Sequence, residues 1–142
     1  MLDLMEERKA GAEQVLFICV GNSSRSQMAE AFFNHLAPAG GRAVSAGTEP
    51  ARALDPNAVA AMAELGIDMG GQRPKLLTEE MVDSAARRIS MGCGVEESCP
   101  AWGRPDEDWD LDDTYHQPLE AVRRIRDQIR ARVEALVKEF AS

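Results

Sequence analysis

The sequence predicts an α/β fold: a small doubly wound sheet, mostly of four parallel strands, with helices on both faces. Three observations predict it. Residues 14–19 are apolar at nearly every position, as in a strand buried on both faces. Further short apolar runs alternate with segments of helical periodicity, and that alternation gives parallel strands joined by helical crossovers. Finally, Val122, Ile125, Ile129, Val133, Leu136 and Phe140 form one apolar stripe, so a long amphipathic helix closes the chain.

Each element follows in order. Residues 1–13 are polar and read as a loosely attached leader, with residues 14–142 as a single domain. After the first strand, residues 25–36 make a helix with Met28, Phe32 and Leu36 toward the core. Pro38, Gly40 and Gly41 stop it. Residues 42–46 form a short second strand that ends at Gly47. Asp55 reads as an N-cap and Pro56 as the first helical residue of a helix that runs through Ala58, Ala61, Met62 and Leu65 to Gly66. Thr78 caps a third helix over 79–86, and residues 88–91 form the third strand. Residues 92–118 carry no regular signal, a length that marks either function or disorder in a small domain. Trp109 and Leu111 mark a brief fourth strand within that segment, and the last helix spans about 118–140.

Composition narrows the function. The chain has 142 residues, 44% of them hydrophobic, and a net charge of −8. That charge argues against a nucleic-acid partner. It also leaves any anion site to act locally, because charges beyond ~8 Å are largely screened at physiological salt. No apolar run approaches membrane-spanning length, and the mixed-charge amino terminus has no signal-peptide core. A cytoplasmic monomer is expected. Three cysteines in a reducing compartment favour catalytic or redox thiols over structural disulfides.

Chemistry concentrates between Val15 and Ala31. The first strand ends at Cys19, a polar turn of Val20, Gly21, Asn22, Ser23 and Ser24 follows, and Arg25 and Ser26 open the first helix. A loop of this kind at a helix N-terminus points backbone N–H groups at one spot, where the helix dipole favours an anion. Arg25 adds a guanidinium fork that matches two oxygens of a tetrahedral oxyanion. The same positive surroundings favour the thiolate of Cys19, the form that acts as a nucleophile. Cys19 lies at the carboxyl end of its strand, where ligands bind in such sheets.

Cys93 and Cys99 lie in the long irregular segment, within the string MGCGVEESCP. Cys93 follows the third strand, which in a parallel sheet puts it on the same edge as Cys19. A thiol there can attack a covalent adduct on Cys19, and a second thiol can carry the resulting disulfide outward. Two inert buried thiols are the bland alternative. Structural zinc fits poorly, since only His35 and His116 remain as ligands and His35 sits on a solvent-facing helix position.

The spacing of Cys19, five residues, then Arg25 and Ser26 resembles the phosphate-binding loop of the cysteine-dependent phosphatases. The fuller string CVGNSSRSQMAEA is similar to the low-molecular-weight tyrosine phosphatase superfamily. Its SQMAEA continuation, the Ser45, Ala46 and Gly47 stretch, the MGCGVEESCP string and Trp109 through Asp113 resemble the thioredoxin-coupled arsenate reductases. The match runs over about residues 15–114.

That resemblance implies reduction of arsenate to arsenite, with phosphate as a competing anion, no bound cofactor and reducing equivalents from thioredoxin. Carried onto this chain, it makes Cys19 the nucleophile. The amides of residues 20–24 and Arg25 become the oxyanion cradle, and Ser26 becomes the hydroxyl that keeps the thiolate ionised. Asn22 shapes the loop, and Asp113 becomes the acid for the leaving oxygen. Cys93 then attacks the Cys19 adduct, and Cys99 moves the disulfide to Cys93 and Cys99 for thioredoxin to reduce.

The chain also departs from the family. The proline that follows the acid in the family is Thr114 here, which makes Asp112 the fallback acid. Some relatives bind potassium near the loop through an Asn, a Glu, a Ser and an Asp. Asn22, Glu30 and Ser45 match the first three, and Lys75 stands at the fourth, so an ammonium takes the place of the ion. Gly21 and Tyr115 are phosphatase-like, and they support an alternative in which water resolves a Cys19 phospho-enzyme. A non-catalytic arsenite- or anion-binding module is the third reading.

Overall fold

The structure is a computed structural model, and it describes residues 13–37, 41–92 and 101–141. The leader falls almost wholly outside these residues, as do Cys93 and Cys99. Four strands form one parallel sheet: β1 (Glu13–Cys19), β2 (Gly41–Gly47), β3 (Arg87–Ser90) and β4 (Glu107–Asp108), in the order β2-β1-β3-β4. Among the described residues four α-helices accompany them: α1 (Arg25–Leu36), α2 (Pro56–Ala63), α3 (Glu79–Ser84) and α4 (Leu119–Ala141). A 3₁₀ turn occupies Ala101–Gly103. This is the expected doubly wound α/β architecture.

The uninterrupted apolar run of β1 is explained by its central position. Alternate side chains enter opposite faces of a sheet. Val15, Phe17 and Cys19 join the main core with α1, α2 and α4, whereas Leu16 and Ile18 pack with Leu77 and Val82 on the other face. The α4 stripe is buried from Val122 to Leu136, and Phe33 meets Phe140 edge-on at 5.7 Å. Among the described residues no helix is long and apolar enough to cross a membrane.

Helix starts match local chemistry. Asp55 accepts from the Asn57 amide at 3.0 Å with Pro56 in the first turn, and Thr78 accepts from the Met81 amide. Several ends do not match. The helix expected over 79–86 stops at Ser84, because Ala85 is extended and the Ala86 amide already donates to Gln14 O at 2.8 Å. The helix expected to reach Leu65 stops at Ala63, and the chain turns through Gly66 at φ 76.

The fourth strand is a clear correction. It is formed by Glu107 and Asp108, paired with Ile89 and Ser90, not by Trp109 and Leu111. Those two apolar residues are buried, and Trp109 packs on Phe17 with ring centroids 5.4 Å apart. Asp110 between them has φ 45, which ends the extended backbone. Apolar alternation there reports burial, not ladder pairing.

Arg126 ties α2 to α4. It is 8% exposed, and its Nη1 donates to Ala61 O at 2.8 Å and to Glu64 Oε1 at 2.7 Å. Arg123 chelates the same carboxylate, and its hydrogen bond, ahead of that from Arg126, holds the Glu64 carboxyl below the usual range. Arg126→Ala strands the Ala61 carbonyl, so thermal unfolding should show a loss of about 1–3 kcal/mol. A depressed carboxylate contributes stability above its unfolded value and loses it as pH falls through the folded one. The gap between wild type and Glu64→Gln should therefore close as pH falls through the range in which the folded carboxylate takes up its proton.

Candidate functional site

The parallel register sets Cys19 opposite Gly47 and Ile18 opposite Ser90, which gathers the carboxyl ends of β1, β2 and β3 on one edge. A cleft of about 690 Å³ opens there, lined by Cys19, the whole loop 20–24, Arg25, residues 51 and 53–57, and Asp113 through Gln117.

The loop is held by its carbonyls. Cys19 O, Val20 O, Gly21 O and Ser23 O accept from the amides of Thr48, Glu49, Ala51 and Asp55, at 3.2, 2.9, 2.8 and 2.9 Å. In a trans peptide the N–H of the next residue points opposite the carbonyl. The amides of Val20, Gly21, Asn22 and Ser24 are thereby turned away from that outer segment. The Asn22 amide reaches the sulfur itself, at 3.0 Å from Cys19 Sγ. Asn22 stands in the left-handed region at φ 49, an unusual conformation in a functional loop. Ser24, the N-cap of α1, makes no side-chain cap, and its buried hydroxyl has no partner among the described residues. Its own side chain therefore does not close the amino end of α1.

Cys19 is 3% exposed, and Ser26 Oγ lies 2.8 Å from its sulfur. Asn22 Nδ2 donates to the same hydroxyl at 2.8 Å. Arg25 is buried beside them. Its Nη1 donates to Met91 O at 2.9 Å and to Leu111 O at 3.1 Å, and its Nη2 lies 3.7 Å from Asp113 Oδ1. The Asp113 side chain is 53% exposed, so this pair is loose and wet.

The structure thus brings together Cys19, residues 20–24, Arg25, Ser26 and Asp113. Asp112 does not line this cleft; it borders a smaller cavity of about 300 Å³ with Arg124 and Gln128, which Asp113 also lines. Thr114, in the place of the family's proline, is buried, and its carbonyl accepts from Gln117 N at 3.1 Å. Tyr115 stands exposed at the rim, with its ring centroid 3.9 Å from that of His116. Glu30, Ser45 and Lys75 also meet: Ser45 Oγ donates to Glu30 Oε1 at 2.9 Å, and Lys75 Nζ lies 3.7 Å from the same oxygen. Among the described residues no His, Cys, Asp and Glu group could hold a metal ion.

Sequence reasoning missed three contributors. The sequence marks Gly47 as a strand end and as part of a family-like stretch, not as a contact of the loop, yet a Cβ there would sit 2.5 Å from Val20 O and 2.9 Å from Asn22 Cβ. The carbonyls of Met91 and Leu111 fix Arg25, and backbone acceptors leave no mark in a sequence. Gln72 donates to Gln27, and Gln27 in turn reaches Asn22, from positions no motif pairs.

Comparisons bear on this geometry. Residues 14–142 match the family model for low molecular weight phosphotyrosine protein phosphatase. A glutaredoxin arsenate reductase of Synechocystis is 39% identical over 132 residues, covering 91% of this chain and 99% of that protein. A solved arsenate reductase in the phosphate binding state superposes with TM-score 0.80 at 39% identity, over 90% of this chain and 98% of that one. A thioredoxin-dependent arsenate reductase of Corynebacterium glutamicum gives TM-score 0.76 at 29% identity, over 99% and 71%.

Gly47→Ala should force the loop outward and cost about 1–3 kcal/mol of overpacking. Calorimetric titration with inorganic phosphate should then read an affinity at least about tenfold weaker than wild type, a difference of ~1.4 kcal/mol.

Proposed function

The chain belongs to the low-molecular-weight phosphotyrosine protein phosphatase family, with arsenate reductases among its relatives, and on that premise we propose that it reduces arsenate to arsenite. Cys19 thiolate attacks arsenic in an arsenate dianion gripped by the loop amides and Arg25. Ser26 and the Asn22 amide stabilise the sulfur anion. Asp113 gives its proton to the departing oxygen, which leaves as water. Cys93 thiolate then attacks Cys19 Sγ. The electron pair of the sulfur–arsenic bond passes to arsenic, so As(V) leaves as As(III) arsenite while two thiols become a Cys19–Cys93 disulfide. Cys99 attacks Cys93, frees Cys19 and leaves a Cys93–Cys99 disulfide.

One observation supports the relay above the rest. Arg25 Nη1 holds Met91 O at 2.9 Å, and Met91 stands two residues before Cys93 in the chain. The segment that bears the second thiol therefore starts at the anion-binding arginine. Thioredoxin is the proposed reductant, since Cys99 would take the disulfide off Cys19 and leave it between Cys93 and Cys99. Glutaredoxin with glutathione is the competing donor, in view of the relative that carries that name. The phosphatase reading draws support from Tyr115, exposed at the rim where an aryl group would stack. It needs neither Cys93 nor Cys99.

The test is NADPH oxidation with thioredoxin and its reductase, with glutaredoxin and glutathione as a parallel arm. Arsenate should drive oxidation with wild type and not with Cys93→Ser, a loss of at least about a hundredfold. Equal arsenate turnover by Cys93→Ser would sink the relay. Lys75 also sets an ion response. Its ammonium already faces the carboxylate that potassium would need, so exchanging sodium for potassium at constant ionic strength should leave kcat/KM unchanged. A several-fold rise would contradict this.

A further inference from the structure

Behind the catalytic loop lies a buried polar chain whose two glutamines have no part in the proposed reaction. Gln27, on the first turn of α1, is fully buried. Its Nε2 has acceptors at Asn22 O (3.0 Å), Asn22 Oδ1 (3.0 Å) and Arg73 O (2.8 Å). Its Oε1 accepts from Gln72 Nε2 at 2.6 Å, and Gln72 Nε2 also reaches Gln27 O at 3.1 Å. Asn22 Oδ1 takes a second donor, the Lys75 amide, at 2.8 Å.

These contacts fix direction as well as position. A backbone N–H cannot reverse, so the Lys75 amide makes the Asn22 side-chain atom facing it the oxygen. The other arm of that amide, Nδ2, must then face Ser26 Oγ and donate to it. Asn22 Oδ1 likewise requires a donor from Gln27, which turns Gln27 Oε1 toward Gln72. Every bond runs the same way: Gln72 to Gln27, Gln27 to Asn22, Asn22 to Ser26. With a lone pair of Ser26 so occupied, its own hydrogen is free for Cys19 Sγ, 2.8 Å away. Donors in series polarise one another, and low local dielectric strengthens each link.

We propose that Gln27 and Gln72 are positioning residues that orient the Ser26 hydroxyl toward Cys19 as a donor, through Asn22, and so stabilise the thiolate. They touch neither substrate nor sulfur. The proposal rests on the reading of Cys19 as the nucleophile, and it adds a support that reaches from the loop into the segment before α3. The same bonds brace Asn22 in its left-handed conformation at φ 49. Ionisable groups that face this chain are Glu30 and Lys75, paired with each other at 3.7 Å, and Arg25 with Asp113 on the cleft side.

The test reads thiolate formation directly. In a Cys93→Ser, Cys99→Ser background Cys19 is the sole thiol of the three, and its rate of alkylation by iodoacetamide is followed against pH. Gln27→Met and Gln72→Met remove the hydrogen bonds at nearly constant volume and add no charge. Each should move the alkylation midpoint upward by ~0.5 pH unit, a roughly threefold slower reaction below the midpoint. Repeating both in a Ser26→Ala background closes a double-mutant cycle. There the added shift should vanish, because the last link is gone. An equal shift with and without Ser26, or no shift in a folded variant, would overturn the proposal. Should the fully buried Gln27→Met fail to fold, the half-buried Gln72 variant carries the same decision. The assay contains no arsenate and no reductant, so its outcome is independent of whether the chain reduces arsenate.

Discussion

The geometry of the cleft depends on one buried guanidinium. Arg25 donates from Nη1 to two carbonyls, Met91 O at the end of β3 and Leu111 O before the acid. Those carbonyls belong to different segments, so the side chain proposed to meet the anion also joins the walls of the cleft. A buried cation is costly unless its charge is met. Here carbonyl dipoles meet most of it, and the nearest carboxylate stands off at 3.7 Å, half exposed. A tight carboxylate partner would have neutralised the positive centre. Dipoles hold it in place and leave its charge for an oxyanion, in a protein whose overall charge is −8.

The sequence is legible where the signal is local. β1 through α1 shows an apolar run, a polar turn and a helix opening within about one dozen residues, and Cys19 and Arg25 fall out of that alone, whereas the role of Ser26 comes from resemblance. Asp55 and Thr78 announce their helices because an N-cap acts within three residues. Legibility fails where backbone decides. β4 is two acidic residues held by ladder bonds, and the apolar Trp109 and Leu111 beside them draw attention because they are buried. The choice of Asp113 over Asp112 comes from resemblance; in the structure it is a matter of which residue lines the cleft with Cys19. Gln27 and Gln72 are invisible as a pair. They lie 45 positions apart, and glutamine carries no charge or periodicity to betray a contact.

Loop and helix alone describe an oxyanion trap with a nucleophile at its base, equally suited to phosphorus or arsenic. The two elements differ in what must follow the first attack. A phosphoryl adduct needs water, which the open cleft admits. An arsenate adduct can instead accept an electron pair, provided a second thiol is at hand to be oxidised. The branch between hydrolysis and reduction thus lies outside the anion cradle, in the chain that continues from β3.

The sheet it follows is covered unequally on its two faces among the described residues. One face of the sheet is backed by α1, α2 and α4, with a continuous core of large side chains. The other carries, among the described residues, α3 of six residues over Leu16, Ile18, Leu77 and Val82. Unequal layers open unequally: a region with few buried apolar contacts unfolds locally at lower free energy than the global transition. Among the described residues the α3 layer, which precedes β3, has the fewer buried apolar contacts, so local opening is expected there first. Opening there would leave the packing of α1, α2 and α4 behind the Cys19 loop intact, a fixed centre beside a more compliant flank.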